Sequence, residues 1–207
     1  MIKTRKELKM YLDADKFALG KFGKKSVFSI DLVWHFEICL RKYEFFFNRH
    51  RFWELPARLF YGYKLKRLSY KTGFSIPINC FGPGLRINHH GLVVINSNSR
   101  IGKWCDLHQG VNIGDSGACD SNNHKSVPVV GDFCYIGPGA KLFGNIKIGD
   151  CVRIGANSVI NKDIPYGMTA YGIPMTMHKT EKEMRTIASD KFETEFLVRY
   201  PEYRGII

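Results

Sequence analysis

The chain has 207 residues, of which 44% are hydrophobic, and its 31 Lys and Arg against 19 Asp and Glu give a formal net charge of +12. This length and apolar content exclude a wholly disordered chain, and no apolar run reaches the roughly 18 residues that a membrane span requires. The basic start leads into Glu7-Leu8-Lys9 without an apolar signal core, so we expect a cytoplasmic protein. The charge leaves an anionic ligand, nucleic acid or an anionic membrane surface open as partners.

The first 73 residues are predicted to be helical, because apolar side chains recur there three or four positions apart. One helix is expected between Lys6 and Leu19, a second behind Asp31 as its cap, and a third over Leu55 to Tyr70 with Pro56 in its first turn. The aromatic stripes of these helices are expected to be core or partner-subunit surface. Bases among the aromatics form either a solvated face or a docking site for anionic lipid, at the inner membrane face: Arg41, Lys42, Arg49, Arg51, Lys64, Lys66 and Arg67.

A six-residue repeat replaces the helical spacing after Gly73. Ten apolar positions keep this step in two runs, and glycine follows six of them: Ile95, Ile101, Leu107 and Ile113, then Val130, Ile136, Leu142, Ile148, Ile154 and Ile160. Such a short period fits neither a helix nor an antiparallel meander. It predicts a parallel β-helix in which each unit makes one short strand and one turn, with the apolar residue pointing inward.

The segment 115–125 separates the two runs and consists mostly of polar and turn-forming residues, which predicts a loop thrown out of the solenoid. The sheet is expected to close at 163–167, and the charge-rich stretch from Thr180 to Leu197 is expected to be a helix. The predicted organisation is therefore a helical region at 1–73, a β-helix domain at 74–178 and a C-terminal helical cap at 179–207.

Six cysteines, at positions 39, 80, 105, 119, 134 and 151, form no CxxC pair. In a long chain without a predicted signal peptide we expect reduced, mostly buried thiols. The histidines complete no zinc-ligand spacing, so no metal site is predicted.

The repeat resembles that of the left-handed β-helix acyltransferases, and the wider pattern resembles their serine acetyltransferase-like branch. Four stretches carry the resemblance, over about residues 74 to 175: 82–95, Gln109 to Gly114, Val130 to Lys141, and Lys162 to Pro174. It implies a mainly β, left-handed parallel β-helix with a helical N-terminal region and a short C-terminal helix. It also implies a homotrimer that binds acetyl-CoA between neighbouring solenoids.

An acetyl acceptor must lose its hydroxyl proton as it attacks the thioester, and histidine is the side chain best suited to remove it at neutral pH. In the resembled family the catalytic histidine lies six residues before the aliphatic residue that closes the next strand. Counting back from Ile95 gives His89 as the catalytic base, with His90 as the alternative. Substrate contacts are expected from His90, His108 and His124.

The resemblance also implies where the coenzyme runs, because small residues let its pantetheine arm approach the backbone. The expected cofactor-binding residues are Gly114, Pro138, Gly139, Ala140, Lys141, Ala156, Asn157 and Lys162. Tight solenoid corners need small residues in any case. Lys141, Arg153 and Lys162 are candidates for the coenzyme phosphates, or else solvated surface charges.

Two positions depart from the serine enzymes of this branch. Where those enzymes carry an Asp fifteen residues before the catalytic histidine and a second His ahead of a later strand, this chain has Phe74 and Val127. Without these groups a zwitterionic amino acid lacks charge partners. We therefore expect a sugar hydroxyl of a surface polysaccharide or its precursor as acceptor. The alternatives are serine O-acetyltransferase activity, as in cysteine biosynthesis, and a non-catalytic scaffold. No nucleic-acid-binding motif accompanies the charge, so no nucleic acid is predicted.

Overall fold

The computed structural model of the chain describes residues 1–21, 31–117, 126–180 and 190–207. Short strands fill its middle and form three sheets, within which strands from successive coils pair in parallel. The chain therefore winds around one axis as a three-sided parallel β-helix, as the six-residue repeat predicts. The loop prediction for 115–125 falls mostly on residues 118–125, which lie outside the described residues, as does His124.

Each side of the β-helix is one sheet. The first face contains β1 (Phe74–Ser75), β3 (Val93–Ile95), β6 (Asn112–Gly114), β9 (Lys141–Phe143) and β12 (Val159–Ile160). The second face contains β4 (Arg100–Ile101), β7 (Val129–Val130) and β10 (Lys147–Ile148). The third face contains β2 (Arg86–Ile87), β5 (Asp106–Leu107), β8 (Tyr135–Ile136), β11 (Arg153–Ile154) and β13 (Met168–Tyr171), with β14 (Thr176–Lys179) antiparallel at its end.

The inward stacking of the repeat positions is confirmed. All ten of them are buried, each at most 4% exposed. On the third face Ile87, Leu107, Ile136 and Ile154 pair in strict register from coil to coil. One continuous apolar core therefore runs along the solenoid axis.

The solenoid ends later than the sequence predicted. Closure at 163–167 is wrong, because β13 still pairs in parallel with β11. Ile164 forms a bridge to Ile148, and Ala170, six residues later, is fully buried. The repeat thus continues with a shifted phase, which hid it from a search at constant spacing.

Three helices precede the solenoid where the sequence predicts them: α1 (Arg5–Ala18), α2 (Leu32–Arg49) and α3 (Leu55–Thr72). Asp31 caps α2 by accepting a hydrogen bond from the Trp34 amide at 3.0 Å. Pro56 lies in the first turn of α3, where its missing N–H costs nothing. None of the helices within the described residues is long and apolar enough to cross a membrane.

A buried ion cluster joins α1 and α2. The Arg41 guanidinium donates to the Asp15 carboxylate at 2.7 Å and to Glu44 at 3.2 Å, and all three side chains are at most 2% exposed. The expectation that Arg41 belongs to a surface group of bases is therefore wrong. Glu44 lies three residues after Arg41 on the same helix, but the contact with Asp15, 26 residues earlier, depends on the packing of α1 against α2.

The same cluster attaches the helices to the first coil. Arg41 donates to the carbonyls of Phe81 at 3.0 Å and Gly82 at 2.7 Å. Asp15 in turn accepts from the amides of Gly84 at 2.8 Å and Leu85 at 2.9 Å. The helical region is thus hydrogen-bonded to the solenoid backbone just ahead of β2.

The chain ends in α4 (Asp190–Arg199), which covers part of the predicted C-terminal helix, since 181–189 lie outside the described residues. Phe196 of α4 and Phe17 of α1 both pack on Trp104, a fully buried residue at a solenoid corner. Glu193 accepts a hydrogen bond from the Trp104 indole at 2.9 Å. The two ends of the chain therefore meet on the same side of the solenoid.

Candidate active site

Most of the predicted site residues lie along one edge of the solenoid, where the chain turns from the third face to the first. We call this the site edge, and it consists of the corners of four successive coils: 88–92, 108–111, 137–140 and 155–158. Backbone hydrogen bonds join neighbouring corners, from the amide of Gly139 to the carbonyl of Gln109 at 2.9 Å and from that of Asn157 to Pro138 at 2.8 Å. Residues far apart in sequence are thereby stacked in one row.

The site edge carries His89, His90, His108, Pro138, Gly139, Ala140, Ala156 and Asn157. His89 and His90 are exposed in the first of these corners, and His108 is half-buried in the next. Lys141 begins β9 beside the edge, and its ammonium donates to the carbonyl of Gly110 at 2.6 Å. Gly114 and Lys162 are not on this edge, because both lie at or beyond the far ends of first-face strands.

Small residues on the site edge are explained by the winding of the backbone. Gly110 and Gly139 have φ angles of 77° and 74°, and Asn157 takes the equivalent left-handed conformation with φ 53°. Asparagine is among the few non-glycine residues that enter this region readily. A Cβ on Gly110 would lie 3.1 Å from the backbone of Gly139, so the stack leaves no room for side chains there.

A row of polar side chains runs beside the site edge on the third face. Arg86, Asp106, Tyr135 and Arg153 are paired in register on four successive strands, each one residue ahead of an inward apolar position. The Arg153 guanidinium lies 4.5 Å from the Tyr135 ring centre, and Arg86 lies 3.7 Å from the carboxylate of Asp106. Asp106 is only 5% exposed.

Asn88 and His108 link this row to His89. The amide nitrogen of Asn88 donates to the carboxylate of Asp106 and lies 3.1 Å from Nε2 of His108. The contact fits a neutral His108 ring whose Nε2 accepts the hydrogen bond. The rings of His89 and His108 lie 6.4 Å apart, and that of Tyr135 lies 5.0 Å from His108.

The electrostatics of the cluster agree with this tautomer. Burial lowers the pKa of His108, although the neighbouring Asp106 carboxylate raises it in part. Burial raises the pKa of Asp106 against the opposing influence of Arg86 and His108. A neutral imidazole therefore stands next to the exposed ring of His89.

His89 and His90 are exposed in a single chain. A cavity of about 490 Å³ lies between α3 and the first face and is lined by Lys66, Tyr70, Ser75, Leu92 and Val94 among others. A smaller one of about 190 Å³ lies beside Arg86 and Asn88. Neither His89 nor His90 lines these cavities. The groups described so far thus form an exposed edge rather than a closed pocket.

Asn88, Asp106 and Tyr135 were missed by the sequence analysis. The signal that could have found them is the repeat itself. Each inward apolar residue fixes the one before it as outward-facing, so Arg86, Asp106 and Tyr135 could have been aligned by register. Within the described residues no group of three or more His, Cys, Asp or Glu is placed to hold a metal ion.

The chain is similar to known proteins of one family. The bacterial transferase hexapeptide model (six repeats) matches residues 128–162. A serine acetyltransferase of Synechococcus elongatus is 41% identical over 104 residues, which are 50% of this chain and 41% of the relative. A serine acetyltransferase of Staphylococcus epidermidis is 32% identical over 182 residues, which are 86% of this chain and 79% of the relative.

The chain belongs to the serine acetyltransferase family. A solved serine acetyltransferase in complex with CoA superimposes with a TM-score of 0.58 at 23% identity, over 84% of this chain and 71% of that one. The predicted fold, a left-handed parallel β-helix with N-terminal helices and a short C-terminal helix, is confirmed. The chain spans about half the length of several of the curated relatives that it matches.

The two departures noted in the sequence are core positions. Phe74 is 1% exposed and packs edge-on against Phe36 with ring centres 5.0 Å apart. Val127 is 8% exposed. Neither side chain faces the site edge as a free group, and neither can supply charge to a substrate.

Proposed function

We propose that this chain is an acetyl-CoA-dependent O-acetyltransferase in which His89 is the general base. The acceptor oxygen attacks the thioester carbonyl carbon while His89 takes the hydroxyl proton. The carbon–sulfur bond then breaks, and the proton passes to the departing CoA sulfur. The observation that carries this proposal is the exposed His89 ring at the head of a row of small-residue corners.

The corners below His89 suit a thioester with a long amide-bearing arm. At Gly139 an added Cβ would collide with the Asn157 side chain, so glycine leaves the room that this side chain occupies. We assign the arm to Pro138, Gly139, Ala140, Ala156 and Asn157. Lys141 lies beside these corners, whereas Gly114 and Lys162 would have to meet the coenzyme further along the first face.

His108 supports His89 as a neutral neighbour. Asn88 lies 3.1 Å from its Nε2 and in turn donates to Asp106, which is buried. A neutral ring beside His89 adds no positive charge when His89 takes up its proton. We therefore assign Asn88, Asp106 and His108 to positioning, and His90 to contact with the acceptor.

A second subunit is expected to complete the site. Catalysis of acetyl transfer to an alcohol requires that water be kept from the thioester, and the His89 side chain is exposed in one chain. We propose a homotrimer in which a neighbouring solenoid covers the site edge. Light scattering should then give three times the mass of the chain.

Serine is the first candidate acceptor. The residue pattern alone favours a sugar hydroxyl, and the comparisons reverse that order, because the relatives that match this chain are named serine acetyltransferases. A sugar hydroxyl is the second candidate. It is favoured by Phe74 and Val127, which are buried and apolar where a zwitterionic acceptor would need charge partners.

The role of His89 as general base is tested by measuring the loss of the acetyl-CoA thioester with purified protein and acceptor. His89→Ala should lower kcat by about 100-fold to 10,000-fold, the usual contribution of a general base. His90→Ala should act mainly on the KM of the acceptor. His35→Ala is the matched control, because His35 is an exposed histidine on α2. Full turnover in His89→Ala would refute the assignment.

The acceptor is tested by the same assay with L-serine, nucleotide sugars and oligosaccharides in parallel. Turnover with serine alone supports the first candidate. Turnover with a sugar and none with serine supports the second. If thioester loss depends on none of these acceptors and survives His89→Ala, the proposed reaction is wrong.

A further inference from the structure

Helix α3 has an apolar face on the side that points to solvent. Its buried side consists of Leu65, Leu68 and Thr72. Leu59, Tyr63 and Tyr70 are 63%, 64% and 77% exposed. At 3.6 residues per turn these three residues fall within about 40° of the helix circumference, opposite the buried side.

The exposed apolar surface continues ahead of the helix. Phe52 and Trp53, in a single 3₁₀ turn, are 81% and 61% exposed, and their rings contact each other at 4.8 Å. Leu55 and Phe60 are exposed as well. We call this surface the basic aromatic face, comprising Arg51, Phe52, Trp53, Leu55, Leu59, Phe60, Tyr63, Lys64, Lys66, Arg67, Tyr70 and Lys71.

The charged residues between positions 49 and 73 are nearly all basic. Residues 49–73 contain seven Lys and Arg and one acid, a net +6 and half of the +12 of the whole chain. The one acid, Glu54, is paired with Arg49 at 3.0 Å. The cations lie among the aromatics, with Arg51 5.6 Å from the Trp53 ring centre and Arg67 5.9 Å from that of Tyr63.

This combination fits the boundary between water and an anionic lipid bilayer. Aromatic rings and leucines enter the headgroup and upper acyl region, while Lys and Arg stay at the charged headgroups. A second copy of the same face would bring together two surfaces that each carry five bases and no acid. A nucleic acid would match the charge and the aromatic rings, but it would leave the exposed side chains of Leu55 and Leu59 without an apolar partner.

We propose that the basic aromatic face docks this protein on an anionic membrane surface, with α3 lying along the bilayer plane. The face borders a cavity that Leu92 of the site edge also lines, but none of its residues is assigned a part in the acetyl-transfer reaction. The proposal therefore does not depend on the acetyl-transfer reaction and can fail or stand without it.

Vesicle sedimentation tests the proposal with the full chain. We expect the protein to pellet at low salt with vesicles of phosphatidylcholine and phosphatidylglycerol, and not with phosphatidylcholine alone. High salt should release it. The triple variant Lys64→Gln/Lys66→Gln/Arg67→Gln should reduce the partition coefficient by about 100-fold, at about fivefold for each base near the surface.

The control variant is Lys6→Gln/Lys147→Gln/Lys191→Gln, which removes the same charge from exposed sites elsewhere and should bind like wild type. The variant Trp53→Ser/Leu59→Ser/Tyr63→Ser, checked for unchanged helix content by circular dichroism, should bind weakly even at low salt. Equal binding by all four proteins, or no pelleting of wild type, would overturn the proposal. If light scattering gives a lower mass for Trp53→Ser/Leu59→Ser/Tyr63→Ser than for wild type, the face makes subunit contacts and the proposal is overturned.

Discussion

Replacing Arg41 by Met is the sharpest test of how the helical region is held on the solenoid. Arg41 is fully buried and makes five hydrogen bonds, two to Asp15, one to Glu44, and one each to the carbonyls of Phe81 and Gly82. Methionine fills much of the same space and carries no charge. The substitution therefore leaves two buried carboxyl groups without their cation and two carbonyls without their donor.

Breaking a buried ion pair by removing one partner costs about 3–5 kcal/mol. Domains have unfolding free energies of about 5–15 kcal/mol, so this loss is a large fraction of the total. For a chain of this size 1 kcal/mol shifts the Tm by about 2–4 °C, which gives an expected fall of about 6–20 °C. Asp15 also accepts from the Gly84 and Leu85 amides, so the strand that leads to His89 should loosen as well.

Urea unfolding followed by circular dichroism measures the loss. The control is Lys9→Met, because Lys9 and Glu202 form a surface pair at 3.6 Å and such pairs contribute about 0–1 kcal/mol. The triple variant Asp15→Asn/Arg41→Met/Glu44→Gln removes the uncompensated charge and should recover much of the stability. If Arg41→Met costs no more than Lys9→Met, the cluster does not hold the two parts together.

Three further predictions concern Glu37, Gly139 and Glu193. Glu37 is fully buried, accepts from the Ile87 amide at 3.2 Å, and has a pKa raised by burial well above its usual 4.5. It keeps a proton that the unfolded chain loses, so its contribution to stability falls as pH rises, by up to about 1.4 kcal/mol per pH unit. The free energy of unfolding of Glu37→Gln, measured with urea, should therefore rise relative to that of wild type from pH 5 to pH 8. An equal difference between the two proteins at both pH values would contradict this. Gly139→Ala should raise the KM for acetyl-CoA and lose more stability than Gly117→Ala, which has the same φ of 74° but open space around it. The left-handed backbone strain common to both variants is about 1–2 kcal/mol. Equal KM values for acetyl-CoA in the two variants would contradict the assignment of the coenzyme to the site edge. Glu193→Ala removes the acceptor of the Trp104 indole and should cost about 1–3 kcal/mol in thermal unfolding, whereas exposed Glu195→Ala should cost almost nothing.

The solenoid could be predicted from sequence because its rule is local. Each apolar repeat position stacks on its counterpart one coil away, so a constant step such as that from Val130 to Ile160 describes the fold directly. The helices followed for the same reason, from caps such as Asp31 and from apolar spacing. The site edge followed less directly, since the position of His89 came from a resemblance.

What the sequence could not show depends on contacts between distant segments. Arg41 reads as one of many surface bases until Asp15, 26 residues earlier, is placed against it. Asn88 and His108 meet only because one full coil separates them. The shifted phase at Ile164 is invisible to constant spacing because the turn before it has its own length. In each case the residues that make the contact are far apart in sequence, and only the fold brings them together.

The helical region also explains how the solenoid begins. Strand β2 is the edge strand of the third face, with a neighbour on one side only. On its open side, and just ahead of it, carboxylates of α1 and α2 take the place of a preceding coil: Asp15 accepts from Gly84 and Leu85, and Glu37 accepts from Ile87. An uncovered strand edge invites pairing with another chain, and repeat proteins need such a cap at their ends. Because the cap uses buried acids, it removes negative charge from the surface and leaves the outside of the molecule more basic than the formal +12 suggests. The cap that fixes the strand leading to His89 thus also leaves the exposed surface with a higher share of bases.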